Sequence, residues 1–173
     1  MKHLIYKYAL AVSFASIILK LIVFITDQQF TVIGEYSTYV IFLFILLAIY
    51  LGMRQARNIT NNNQSLGENI NVGCKIAAIN GLVMGAFIYI YYSFIDTGYF
   101  TEKIRNTLVL MIQSDNYTIE QMKEYYINAR LLFFAPDKVA SFTLFGYLLL
   151  GCFYAVISGF VIRKKYASNM QLK

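Results

Sequence analysis

A chain of 173 residues with a formal charge of +6 is long enough for one domain. It is 58% hydrophobic and 14% charged, where soluble domains carry about a quarter charged residues, so it lacks the polar surface to face water all round. The positive charge does not indicate nucleic acid, because the basic residues flank apolar blocks instead of sharing one solvated patch with aromatics.

Four apolar blocks, at residues 6–25, 36–53, 75–95 and 139–162, predict the transmembrane helices of an all-α integral membrane domain spanning residues 1–173. Each block is roughly 18–24 residues, or about 27–36 Å as helix, which matches the bilayer core. Lipid offers the backbone no hydrogen-bond partners, so isolated runs of this length must be helical.

The first block follows Lys2 and Lys7 and contains the small stretch Ser13-Phe14-Ala15. Its apolar run continues two turns further than a signal core does, so it is expected to be an uncleaved span. Inside it lies Lys20, an ionisable group whose insertion at a helix centre costs about 2.5–3.5 kcal/mol. One reading lets Lys20 snorkel towards the membrane surface or pair with Asp27 or Glu35. The other makes it an anion-binding group in a polar path. Ala11 and Ala15 sit four residues apart, where a partner helix can approach closely.

A short acidic connection, residues 27–35, leads to the second block. Residues 54–74 follow, with Asn61-Asn62-Asn63-Gln64 and Gly67 inside them, and predict a flexible polar linker. Gly73, Ala77, Gly81 and Gly85 share one face of the third helix, and Gly151, Ala155 and Gly159 one face of the fourth. Such stripes let helix backbones meet, within one bundle or between two copies. Asn80 in the third block is a polar group suited to interhelical hydrogen bonding, worth about 0.6 kcal/mol, or to a substrate contact beside Lys20.

Between the third and fourth blocks, Phe100, Ile104, Leu108, Met111 and Ile112 recur at helical spacing. After a break at Ser114-Asp115-Asn116, Thr118 and Gln121 suit a capping box, and Ile119, Met122, Tyr126, Leu132 and Phe133 resume an apolar stripe. Residues 99–135 therefore predict an outer, periplasmic hairpin of two amphipathic helices ending at Ala135-Pro136. Ile104, Leu108, Met122 and Tyr126 are its expected partner-facing residues.

Orientation follows from Lys and Arg in the connections. One side collects Lys2, Lys7, Arg54, Arg57, Lys75, Arg163, Lys164, Lys165 and Lys173, with Glu68 its only acid. The other holds Lys103, Arg105, Lys123, Arg130 and Lys138 among eight of the nine acids. Both termini are expected in the cytoplasm of a bacterial cell, with the protein in the inner membrane. Tyr6, Tyr8, Tyr36, Tyr39, Tyr89, Tyr91 and Tyr92 lie near block ends and read as interfacial anchors.

Signatures of chemistry are missing. His3 is the only histidine, Cys74 and Cys152 fall in or beside spans, and no phosphate loop or Rossmann glycine pattern occurs. No catalytic, cofactor-binding or metal residue is assigned, and no cofactor is expected. The expected role is a non-catalytic scaffold or accessory subunit in contact with lipid and with a membrane or periplasmic protein. The alternative is a small transporter or lipid-handling protein using Lys20 and Asn80. Homo-oligomers are a further use of the glycine stripes.

Several stretches together resemble a bacterial membrane family, found mainly in Bacteroidota, known as domain-of-unknown-function family 4199. They are Leu51-Gly52-Met53-Arg54, the run Gly67-Glu68-Asn69-Ile70-Asn71-Val72-Gly73, the tyrosine-rich exit at residues 89–95, and the closing Arg163-Lys164-Lys165. Where the family often has a proline after the third span, this chain has Asp96-Thr97-Gly98. The resemblance implies a four-span inner-membrane protein without assigned activity. It also implies a genomic setting near a polyprenyl-phosphate glycosyltransferase, and hence an accessory role in envelope glycolipid synthesis. It carries no active-site residue onto this sequence.

Overall fold

The computed structural model describes residues 1–61, 63–114 and 116–171, with side chains as far as Lys164. Asn62 of the polar loop, Asp115 of the break and the terminal Lys173 lie outside the described residues, as does the Lys165 side chain. Among the described residues there is no strand. The helices are α1 (Lys2–Ile25), α2 (Val32–Ile59), α3 (Leu66–Ile90), α4 (Tyr99–Gln113), α5 (Ile119–Asn128) and α6 (Pro136–Gln171). Two π-helical turns, Tyr91–Ile95 and Ala129–Phe133, follow α3 and α5.

Four stretches are long and apolar enough to cross a membrane: Lys2–Ile25, Val32–Ile59, Leu66–Ile95 and Pro136–Lys164. They overrun the apolar blocks because polar flanks continue the helix. The expected flexible linker at 54–74 is the clearest correction. α2 persists to Ile59 and α3 begins at Leu66. The α3 start is fixed by a reciprocal box in which the Ser65 N–H donates to Glu68 Oε2 (2.8 Å) and the Glu68 N–H donates to Ser65 Oγ (3.2 Å). Hydropathy reports only the apolar part of such a helix. At the α1–α2 turn, Asp27 adopts a left-handed φ of 54°. A Cβ on Gly34 would stand 2.5 Å from the Gln28 carbonyl oxygen, so only glycine fits that turn.

The first of two compact units is Met1–Met84 with the chain from Leu144 onward. Its core takes one face from each helix: Leu4, Ile5, Ala9 and Val12 of α1; Ile41, Ile45, Ile49, Met53 and Ala56 of α2; Val72, Ile76 and Ala77 of α3; Ala155 and Ile162 of α6. The opposite faces of α1 (Tyr6, Leu10, Phe14, Ile18, Ile22) and α2 (Leu43, Leu47, Leu51) stand at the protein surface, as lipid-facing residues do. The span that includes α3 is 44% buried, against 22–28% for the other three, so it is the most enclosed.

Small residues set the α3–α6 approach. A Cβ on Gly73 would lie 2.6 Å from Ala155 Cβ, and one on Gly81 would lie 3.0 Å from the Leu144 carbonyl oxygen. Gly151 faces Ala77, and Gly159 faces Ile70 and Leu66. α1 departs from expectation. Ala11 is exposed and Ala15 half-buried, while Ala9, Val12, Ser13 and Ser16 turn inward. Residues two apart on a helix point about 200° apart, so a core stripe through Ala9 turns Ala11 outward.

The second unit is Gly85–Thr143. Gly85 is buried there. The Asp96 N–H donates to the Tyr91 carbonyl (2.8 Å), closing the first π-turn, and Tyr91 Oη donates to Asp96 Oδ2 (3.0 Å). Tyr92 packs on Phe100 (ring centroids 4.5 Å apart) and Tyr99 (5.0 Å), and Phe100 stacks on Phe134 at 6.0 Å. Thr118 and Gln121 form both bonds of a capping box at the start of α5. The second π-turn closes when the Phe134 N–H donates to the Ala129 carbonyl at 2.8 Å.

Candidate functional site

Two places in the fold gather polar groups: the polar file along α3, and a cavity among α4, α5 and the second π-turn.

Asn80 is fully buried. Its Oδ1 accepts from Ser13 Oγ of α1 at 2.8 Å, while its Nδ2 has no hydrogen-bond partner. Ser13 Oγ is also 2.8 Å from the Ala9 carbonyl, so its single proton serves one acceptor at a time. Ser16 Oγ donates back to the Val12 carbonyl. Lys20 is half-buried on α1. The cavities described below are lined by neither Lys20 nor Asn80.

Asn69 was hidden in the expected linker. It is fully buried on α3, with neither Oδ1 nor Nδ2 hydrogen-bonded. It precedes Gly73 by four residues and Asn80 by eleven, about three turns, so it shares their face. That spacing was readable once the helix was known to begin at Leu66. Arg57 and Ser158 are buried too, one turn from Met53 and Ala155, the residues that Gly73 meets.

Two openings lie beside the α3 start. One, about 380 Å³, is lined by Met1, Ile5, Thr60, Asn63, Gln64, Glu68, Asn71, Val72 and Lys75. The other, about 340 Å³, lies among Lys2, Ile5, Tyr6, Lys75, Ala78 and Ile79.

In the second unit a cavity of about 400 Å³ has an apolar floor of Phe100, Ile104, Leu108 and Phe134. Its remaining wall is Thr101, Arg105, Tyr126 and Arg130. Arg130 donates to Tyr126 Oη at 3.3 Å, and Arg105 meets Glu102 at 3.3 Å in an exposed pair. Lys103 Nζ stands 5.4 Å from the Phe134 ring centroid. No acid is among the described lining residues.

Of the four expected partner-facing residues, Ile104 is 4% exposed, Leu108 and Met122 are half-buried, and Tyr126, which borders the cavity, is exposed. Other apolar residues at the surface of this unit include Leu110, Ile112, Ile119 and Leu131. Arg105 and Arg130, counted in the sequence only for orientation, are both exposed and border this cavity. Their spacing gave a hint, since Thr101–Arg105 and Tyr126–Arg130 are each four apart, but only packing brings the pairs onto one cavity.

A family model matches residues 7–164, which takes in α1 from Lys7, α2 to α5 and the fourth span as far as Lys164. The chain belongs to that family, described as Protein of unknown function (DUF4199). The DUF4199 match includes α4, α5 and both π-turns, so the cavity lies within the shared region. No curated protein and no solved structure matches the chain.

Proposed function

We propose that the protein is a non-catalytic scaffold or accessory subunit of a bacterial inner membrane, acting through a protein partner. In this reading both termini are cytoplasmic and the α4–α5 segment is periplasmic, in keeping with nine basic residues against five on the two sides of the span pattern. The observation that carries the partner is the apolar surface outside the spans. Leu110 (65% exposed), Ile112 (61%), Ile119 (81%) and Leu131 (66%) all lie between Ile95 and Pro136. Large apolar side chains exposed outside the spans offer contact surface to a partner. The family resemblance implies a polyprenyl-phosphate glycosyltransferase as the partner class to look for first.

The transporter alternative is weaker. Asn80 is enclosed and bonded to Ser13, the arrangement of interhelical glue, which does not need a polar path.

The test is purification of tagged protein from its native host in mild detergent, at native expression, followed by mass spectrometry. A stoichiometric companion should be present, and should be lost when Leu110, Ile112, Ile119 and Leu131 are changed to Ser. A monomer or homo-oligomer without a companion would overturn the proposal.

A further inference from the structure

We propose that the cavity among α4, α5 and the second π-turn binds the phosphate-bearing headgroup of a membrane lipid. This goes beyond the partner role and does not depend on it. The chemistry of the wall makes the case. Arg105 and Arg130 come from different helical segments to one cavity, with no carboxylate among its described lining residues. Guanidinium groups bind phosphate through paired N–H donors in a fixed fork; one offsets the single charge of a phosphodiester, and a second adds further donors to its oxygens. Thr101 and Tyr126 add hydroxyls at the same wall. Arg105 is already paired with Glu102, but that contact is exposed on both sides (side chains 71% and 48%), and such surface pairs are weak.

The floor decides for a lipid over a free ion. Phe100, Ile104, Leu108 and Phe134 make it apolar, which suits the glycerol and first methylenes of a lipid and offers nothing to hydrated phosphate. The volume of about 400 Å³ lies in the range of small-ligand sites and exceeds what a phosphate needs. Chain continuity also puts the floor near the membrane surface. Phe100 follows the span end at Ile95 by five residues, and Phe134 precedes the next span at Pro136 by two. A lipid headgroup is the phosphate found at that depth.

The experiment uses the full chain in uncharged detergent, read by native mass spectrometry with dioleoyl phosphatidylglycerol or dioleoyl phosphatidylcholine added. The wild type should retain the net-anionic phosphatidylglycerol over phosphatidylcholine. R105Q/R130Q should weaken that retention by about tenfold or more, the size expected when charge-assisted hydrogen bonds are lost. K123Q/K138Q removes the same charge from the segment without touching the cavity lining and should retain phosphatidylglycerol as the wild type does. Equal retention by R105Q/R130Q, or equal loss in K123Q/K138Q, would overturn the site. Competition by millimolar inorganic phosphate, dependent on both arginines, would overturn the lipid assignment and leave a free-phosphate site. Both variants should elute as the wild type on size exclusion. Should R105Q/R130Q fail to do so, R105K/R130K keeps the charge and removes the fork; unchanged retention by it would overturn the forked recognition.

Discussion

Gly73→Ala tests a close α3–α6 approach in the bundle. The new methyl carbon would lie 2.6 Å from Ala155 Cβ, 2.7 Å from Met53 Sδ and 3.2 Å from Ile49 Cγ2. Carbon atoms in contact prefer about 3.5–4.0 Å, so α3 and α6 must separate by roughly 1 Å. Met53 can swing its sulfur aside, but Ala155 Cβ is fixed to its backbone and cannot. Overpacking of this kind costs about 1–3 kcal/mol. At about 2–4 °C per kcal/mol for a chain of this size, the thermal midpoint in detergent should fall by several degrees. Gly146→Ala is the control. Nothing stands within 4 Å of its would-be Cβ, and it lies within α6, so the substitution should be neutral or stabilising by up to about 1 kcal/mol. Ala155→Gly in the Gly73→Ala background removes the clashing methyl and should recover much of the loss. That recovery is a coupling energy no independent pair of sites would give. The chain has no Trp, so a thiol-reactive dye is the better reporter, with half-buried Cys74 and Cys152 becoming accessible on unfolding. If Gly73→Ala melts with Gly146→Ala, α3 and α6 do not meet at Gly73 and the packing described above is wrong.

Two further outcomes are expected. In a cysteine-free background, a cysteine at Asn63 should be shielded from a membrane-impermeant maleimide in intact cells and one at Asn116 should react; the reverse pattern would invert the proposed orientation. Lys20→Met should leave abundance and thermal midpoint unchanged or raised, since it removes an insertion cost of about 2.5–3.5 kcal/mol; a clear fall would mean that Lys20 makes an interaction worth more than that cost.

Much of the membrane architecture could be read without coordinates. Each apolar block was long enough to span, and lipid leaves helix as the only state for such a run. The break at Ser114 and the Thr118–Gln121 box marked where α4 ends and α5 begins, because capping is local chemistry between residues three apart. The candidate cavity was far less legible. Thr101, Arg105, Tyr126 and Arg130 carry no motif; they become a site only because the helices bearing them share one cavity.

What sequence alone determined, then, was that the four apolar blocks are helical and long enough to cross a bilayer, both of which depend on residue type summed along the chain. Which face of each helix looks inward was decided by tertiary packing. A span apolar all round carries little amphipathic signal, because lipid and protein interior are about equally apolar. The choice between Ala9 and Ala11 on α1 therefore rested on what α1 packs against, and Ile104 could be expected at an open face although it is enclosed. Asn69 shows the same limit from the polar side: beside Gly67 and Asn71 it reads as linker, and only the helix starting at Leu66 turns it onto the buried face shared with Gly73 and Asn80.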